Sequence, residues 1–293
     1  MGKSKEIKTY SELAGDGGSD IMGQVIAHKA KIEANLSGIK QVIAVGSGKG
    51  GVGKSTISMY LASAFNRLGK SVSLLDADVN GPALARFAGL TDAPLIPGQN
   101  GLIVPKTKSG IGVIAFGSLV PESEAVDFKS VASGDSHVWR ATKEFSTLAD
   151  FLADTDWGKL DYLLIDLPPG AERCFQFAEF FGHKTSFILI TIPSEVSQGV
   201  VTRSIAAIKK TPSPIIGYIE NMSGYYCIDS QEVKPLFPSG NAKLDIPLLG
   251  SVPFDPSVAE HCDRGTVINY ANDSPTNISL QSIATKITNT LEV

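Results

Sequence analysis

Cysteine is scarce in this sequence: Cys174, Cys227 and Cys262 are the three among 293 residues. They are too few and too scattered for a disulfide framework, which excludes a small disulfide-stapled fold and points to a reducing compartment. Histidine is scarce as well. His28, His137, His183 and His261 show neither C-x-x-C nor H-x-x-x-H spacing, so the pattern of a zinc site is missing. No apolar run reaches the roughly 18 residues that a membrane-spanning helix needs. The opening segment, MGKSKEIKTYSELAGDGGSD, lacks the apolar stretch of a secretory signal. Positive charge is not in excess either: 26 Lys and Arg against 30 Asp and Glu leave a net charge of -4, the opposite balance to that of a nucleic-acid binder. What remains is a cytoplasmic protein, with neither membrane nor nucleic acid among its expected partners.

What is present is enough for one large α/β domain, with 43% hydrophobic and 19% charged residues. Residues 1–38 read as a flexible leader, with Gly15, Gly17 and Gly18 among Asp and Ser. Within it, Ile21, Val25, Ile32 and Leu36 recur at helical spacing, which predicts a short docking helix over 21–36. Residues 39–293 form the domain. Apolar strands are predicted at Val42–Gly46, Ser71–Asp76, Tyr162–Asp166, Ser186–Ile192, Ile215–Glu220 and Leu248–Ser251. Helices are predicted at Lys54–Leu68, Trp139–Leu152, Gln198–Lys210 and Ile278–Leu291, the last with Ile278, Ile283, Ile287 and Leu291 as a core-facing stripe. This alternation predicts a mostly parallel sheet with helices on both faces, and a ligand at the carboxyl ends of the strands. Gly101–Phe116 reads as an inserted hairpin pairing Leu102-Ile103-Val104 with Val113-Ile114-Ala115.

The strongest pattern is Gly48-Lys49-Gly50-Gly51-Val52-Gly53-Lys54-Ser55-Thr56, between the first predicted strand and the first predicted helix. It fits G-x-x-x-x-G-K-[ST] in the strand–loop–helix setting that pattern requires. Glycines let successive backbone N–H groups turn onto phosphate oxygens, and a helix N-terminus adds partial positive charge. Lys54 is then placed to neutralise the β- and γ-phosphates of a nucleotide, and Ser55 to ligate Mg2+. Such a site also needs an acidic group at the end of a neighbouring strand. Leu163-Leu164-Ile165-Asp166, followed by Leu167-Pro168-Pro169-Gly170, supplies Asp166. Asp76-Ala77-Asp78 ends another strand, with both carboxylates on one side of an extended segment. Gly46-Ser47-Gly48 approaches a nucleophile elbow only superficially, because the phosphate loop already accounts for its glycines.

With Lys49 inside the loop, Lys49–Thr56 reads KGGVGKST, the deviant Walker A signature. The chain resembles the family that includes MinD, ParA, the nitrogenase iron protein and the Mrp-type ATPases. The resemblance runs over nearly all of residues 40–290 and is nearest to the Mrp-type ATPases implicated in iron–sulfur cluster carriage. It is carried by Asp76-Ala77-Asp78, Trp139-Arg140, Asp156-Trp157-Gly158, Asp166-Leu167-Pro168-Pro169-Gly170, Glu220-Asn221-Met222-Ser223 and Asp263-Arg264-Gly265. It implies a three-layer P-loop NTPase fold, ATP or ADP with Mg2+, and an ATP-dependent homodimer. It further implies that Lys49 reaches across the dimer to the partner's nucleotide, that Asp78 positions the attacking water and that Asp76 supports the metal shell. Asn221 would read adenine, with Pro253 and Asp255 in an adjoining loop.

The chain departs from its nearest relatives in three places. Ala171-Glu172-Arg173 stands where the family continues with Thr-Gly-Asp, which implies slow or differently controlled hydrolysis. Cluster-carrying members place C-x-x-C after Asn-Met-Ser, so that two subunits offer four thiolates to one [4Fe-4S] cluster. Here Cys227-Ile228-Asp229-Ser230 keeps Cys227 as a candidate ligand and has Ser230 in the second position, where a hydroxyl is a poor ligand for iron. No cysteine precedes the phosphate loop. Cys174 and Cys262 read as ordinary buried thiols. The expected partners are a second copy of the chain and an apo-protein client or cluster donor; the alternative is a MinD- or ParA-like positioning switch without a cluster.

Overall fold

In the computed structural model, which describes residues 21–78, 81–115, 137–227, 229–230, 232–237, 244–267 and 274–292, the run IKQVIAVGS forms β1 (Ile39–Ser47) at the middle of the main sheet. On one side it pairs with β7 (Leu160–Asp166), then β2 (Val72–Asp76) and β5 (Gly112–Ala115); on the other with β8 (Thr185–Thr191), then β9 (Ile215–Cys227). All these pairings are parallel, as is that of β11 (Leu248–Phe254) with β9; only β10 (Glu232–Lys234) runs antiparallel, on the last residues of β9. β8, TSFILIT, is buried at every position, as a strand covered on both faces must be.

Alternation along β1 divides the interior into two cores. Ile43 and Val45 face one core with Tyr60 and Phe65 of α2 (Lys54–Arg67) and Ile283 and Ile287 of α8 (Pro275–Leu291). Val42 and Ala44 face the other, with Leu152 of α4 (His137–Asp154), Phe177 of α5 (Ala171–Phe181) and Val201 of α6 (Glu195–Ile208). This is the three-layer α/β architecture of a P-loop NTPase. Parallel pairing brings the carboxyl ends of β1, β2 and β7 together: Val45 lies opposite Asp166, and Asp166 opposite Asp76. Short helices α3 (Leu84–Phe87) and α7 (Pro256–Asp263) close the same end of the sheet.

The helix expected in the leader is α1 (Ile21–Leu36), and it docks on the domain. Ile32 is buried in the second core. The Asn35 side chain donates to the carbonyls of Leu152, Ala153 and Thr155 at 3.0, 3.1 and 2.6 Å, supplying partners to the orphan carbonyls at the end of α4. Lys31–Asp154 and Lys184–Glu33 ion pairs flank it. The Gly15–Gly18 stretch, Phe116, and the side chains of Trp139 and Arg140 lie outside the described residues.

Several expectations need correction. The Gly101–Phe116 runs do not pair with each other. Leu102–Ile103 is β4 in a small sheet with β3 (Ile96–Pro97) and β6 (Thr155–Asp156), whereas Gly112–Ala115 joins the main sheet. A tight turn does join them, with Thr107 N–H donating to the Ile111 carbonyl and an isolated antiparallel bridge pairing Lys106 with Gly112, so the expected hairpin is confined to its turn. Helix α5 went unpredicted because Phe175, Phe177, Phe180 and Phe181 obscure its helical period, yet the parallel β7–β8 crossover requires it. β9 continues past Glu220 to Cys227, and β11 runs to Phe254, so Pro253 lies in a strand rather than a loop. Ile278 is exposed at the start of α8; Leu280, Ile283, Ala284 and Ile287 carry its packing. No helix among the described residues is long and apolar enough to cross a membrane.

Candidate functional site

β1 ends at Ser47, and α2 begins at Lys54 with Gly53 as its N-cap. Gly51 and Gly53 have φ of 76° and 80°, in the left-handed region that L side chains avoid. Gly53 is constrained twice, because a Cβ there would lie 2.3 Å from the Asn221 side-chain nitrogen. Asn221 is buried at 7% exposure, and its Nδ2 donates to the Val52 carbonyl at 2.9 Å, which ties β9 to the loop. Among the described residues no side chain caps α2, and its first turn holds no acidic residue. The orphan N–H groups of that turn, with the partial positive charge of the helix end, are therefore left to a ligand, and an anion suits them.

Behind the loop, Asp166 is fully buried and gathers three donors. Lys54 Nζ and Ser55 Oγ both lie 2.6 Å from its Oδ2, and Ser58 Oγ lies 2.7 Å from its Oδ1. A buried carboxylate needs this pairing, and Ser58 reaches it because it sits one helical turn after Lys54. Asp76, on the neighbouring strand, is also buried, and its carboxylate accepts the backbone N–H groups of Asp78, Ala83 and Leu84 at 3.1, 2.8 and 3.0 Å. Burial, then the charge of Asp166, push its protonation above the usual carboxylate range, while the Leu84 and Ala83 N–H groups oppose the shift. The side chain of Asp76 thus folds the segment that follows it. Asp78 lies half-buried just beyond; Val79 and Asn80 are outside the described residues. The segment after Asp166 is held to the phosphate loop by the Gly170 N–H, which donates to the Ser47 carbonyl at 2.9 Å.

Lys49 is half-buried in the loop, its carbonyl accepting from Ser47 Oγ at 3.0 Å. Among the described residues no acidic group pairs with its ammonium. Next to the loop, a cavity of 280 Å³ is lined by Gly53, Thr56, Asn221, Pro253 and Asp255, each expected at a nucleotide. Asp255 also caps α7, accepting the Ser257 N–H at 3.1 Å. Tyr60, Cys262 and Thr276 line the cavity too, and no motif pointed to them. The Cys262 thiol bonds to Thr56, and burial pushes it up to about 11.

Cys227 stands apart from this cluster, at the end of β9 in register with Glu232 of β10. Between Asn221 and Cys227, Met222 takes a positive φ of 54°, an uncommon conformation for a side-chain-bearing residue. The Cys227 thiol hydrogen-bonds with Ser230, so the two positions of the C-x-x-S segment do meet. That contact, the nearby backbone N–H groups and Lys234 hold the thiol below its ordinary range. Among the described residues, no group of three or more His, Cys, Asp or Glu side chains is placed to hold a metal ion.

Residues 38–288 match the family described as ParA: NUBPL iron-transfer P-loop NTPase. The chain is 38% identical over 242 residues to an iron-sulfur cluster carrier protein of Methanocaldococcus jannaschii, covering 80% of each. It is 35% identical over 276 residues to another from Saccharolobus solfataricus, covering 92% of this chain and 90% of that one. A nucleotide-binding protein from Archaeoglobus fulgidus, solved in complex with ADP, superposes with a TM-score of 0.70 at 30% identity, covering 84% of this chain and 94% of that one. The septum site-determining protein MinD of Pyrococcus horikoshii shares the fold, with a TM-score of 0.58 at 21% identity. A strand, an uncapped helix and the phosphate loop between them, matched along most of the chain, identify it: the protein belongs to the NUBPL iron-transfer P-loop NTPase family.

Proposed function

We propose that the protein is a cytoplasmic, Mg2+-dependent ATPase that turns over slowly as a homodimer and carries or assembles an iron–sulfur cluster for an apo-protein client. The observation that carries the ATPase reading is the Lys54–Ser55–Asp166 network beneath an uncapped helix N-terminus. In this reading the loop N–H groups from Gly48 to Thr56 bind the phosphate chain. Lys54 leaves Asp166 for the β- and γ-phosphates, a short move between two negative partners. The base enters the cavity bounded by Asn221, Pro253 and Asp255.

A hydroxyl and a carboxylate in contact are hard oxygen donors of the kind Mg2+ takes, together with phosphate oxygens and water. Ser55 and Asp166 would hold the ion, with Asp76 shaping the segment beside it, and the ion would supply charge neutralisation at the phosphates. Asp78 would orient the water that attacks the γ-phosphorus, releasing ADP and inorganic phosphate. Lys49, with no acidic partner in its own subunit among the described residues, would reach the nucleotide of the facing copy. Ala171, Glu172 and Arg173 contribute no hydroxyl or carboxylate in the family's positions, which fits a timing role more than rapid turnover.

The cluster is cargo in this scheme. Each subunit offers one thiolate, Cys227, so a dimer offers two, and the remaining iron sites would fall to the client or donor. The C-x-x-S segment is also what favours the second reading, a nucleotide-switched regulator with no cluster. Titration of ATP with Mg2+ into the wild-type protein and Lys54→Ala tests the ATPase reading: affinity should fall at least about a hundredfold, and an unchanged affinity would overturn it. Lys49→Ala should lower hydrolysis per subunit and remove its dependence on protein concentration; unchanged turnover would remove the dimer from the scheme.

A further inference from the structure

We propose that Ser58 is a positioning residue for Asp166: its hydroxyl fixes one carboxylate oxygen so that the other stays turned toward the phosphate loop. The role rests on the nucleotide reading above. Lys54, Ser55 and Ser58 occupy the first two turns of α2, at spacings that place Ser58 on the same face as the other two. That face meets Asp166, the last residue of β7. The three side chains divide its carboxylate between them. Lys54 Nζ and Ser55 Oγ both approach Oδ2, whereas Ser58 Oγ approaches Oδ1 at 2.7 Å. Among the described residues Oδ1 has no other donor.

The Ser58 hydroxyl carries one proton and has two acceptors in reach, Asp166 Oδ1 at 2.7 Å and the Lys54 carbonyl at 3.0 Å. The shorter contact goes to a charged group, and such hydrogen bonds are roughly twice as strong as neutral ones, so Ser58 donates to Asp166. Thr202 in α6 and Thr285 and Thr290 in α8 show the ordinary alternative. Each of their hydroxyls donates to the carbonyl four residues back, at 2.9 Å. Ser58 differs from them by the carboxylate opposite it and by its burial. Ser58 and Asp166 are both 0% exposed, so bulk water has no access to replace the hydroxyl. Alanine is the better helix former, and it fills the buried positions Ala62 and Ala64 of the same helix. The hydroxyl at position 58 serves Asp166 and not the helix.

A nucleotide would act differently on the three donors. Lys54 and Ser55 are the residues that the phosphates and Mg2+ would draw away from Oδ2. Ser58, fully buried one turn further along α2, has no surface open to them and stays with Oδ1. A carboxylate held by one oxygen cannot swing about its Cβ–Cγ bond without losing that hydrogen bond, so Oδ2 keeps its direction as its own donors leave. The consequence is selective. Affinity for a nucleotide together with Mg2+ depends on Ser58, and affinity for the nucleotide alone does not.

The test uses the full chain and one probe, ADP, titrated by calorimetry with Mg2+ and again in EDTA into wild type, Ser58→Ala and Ser58→Thr. Ser58→Ala should weaken ADP with Mg2+ about tenfold, the low end of the cost of removing a hydrogen-bond partner from a metal-holding carboxylate. In EDTA the same variant should bind ADP within about twofold of wild type. Ser58→Thr, which keeps the hydroxyl, should stay within about threefold of wild type in both conditions. Unchanged affinity with Mg2+ in Ser58→Ala overturns the assignment. So does an equal loss in Mg2+ and in EDTA, or an equal loss in both variants, since those outcomes report packing of α2. A wild-type protein that binds ADP equally with and without Mg2+ removes the positioning role but leaves the phosphate loop standing; one that binds in neither condition removes the nucleotide reading as well.

Discussion

Asn221 and Cys227 lie on the same strand, and their surroundings could hardly differ more. Asn221 is buried against the phosphate loop, with a backbone carbonyl for its amide and a cavity beside it. Cys227 lies past the left-handed residue Met222, at the end of the strand where it pairs with the short antiparallel β10, and its thiol has Ser230 beside it. The first site is assembled within one chain: β1, β7, α2 and β9 each contribute to it. In the proposed function the second offers one thiol per chain, to be completed by groups from elsewhere. The proposed coupling of nucleotide binding to cargo would need both kinds of site, and the left-handed Met222 lies between them on one strand.

The contrast breaks most sharply if cargo binding is removed or restored by a single atom type. After anaerobic incubation with iron and sulfide, Cys227→Ala should retain no cluster, and Ser230→Cys should retain more metal per dimer than wild type. Visible absorbance and metal analysis read both. Cluster retention by Cys227→Ala equal to wild type would show that this end of β9 holds no cargo. ATP affinity should be the same in all three proteins.

Thiol chemistry gives the next largest effect. Burial pushes Cys174 and Cys262 up to about 11, whereas Cys227 is held below its ordinary range, so at pH 8 the thiolate fraction should differ by at least about a hundredfold. Timed alkylation followed by mass spectrometry should label Cys227 first. The lowered value comes first from Ser230, so Ser230→Ala should raise the pKa and slow labelling of Cys227 at pH 8. Labelling of all three thiols at one rate would mean that the two environments are not distinct.

A smaller effect sharpens the nucleotide end. Gly53→Ala places a Cβ at a φ of 80° and 2.3 Å from the Asn221 amide nitrogen, so the loop or Asn221 must shift. ATP affinity, measured by calorimetry, should fall about tenfold, with cluster retention at Cys227 unaffected. An unchanged affinity would show that the loop does not need Asn221 where it stands.

Much of this was legible in the chain. The nearly continuous apolar strands and the glycine-rich loop with Lys54 point to a parallel sheet with a phosphate site at its carboxyl edge, because local periodicity and spacing encode both. The separate partners of the two Gly101–Phe116 runs, helix α5 and the length of β9 were not legible. Leu102–Ile103 and Gly112–Ala115 are each competent to pair with the other, and only competition from β6 and β2 separates them. The aromatic run around Phe177 has no clear period until a crossover demands a helix. Ser58, Cys262 and Thr276 gave no motif, since each matters through what lies across from it in space.

By itself, then, the amino-acid order determined the class of fold, the phosphate loop and the single thiol of the Cys227-Ile228-Asp229-Ser230 segment, all of which are properties of neighbouring residues. Tertiary structure decided which carboxylate was met by Lys54, Ser55 and Ser58, and which asparagine closed the loop. Those outcomes depend on burial and on contacts between residues far apart in the chain, and burial is what makes a paired carboxylate stabilising and an unpaired one costly.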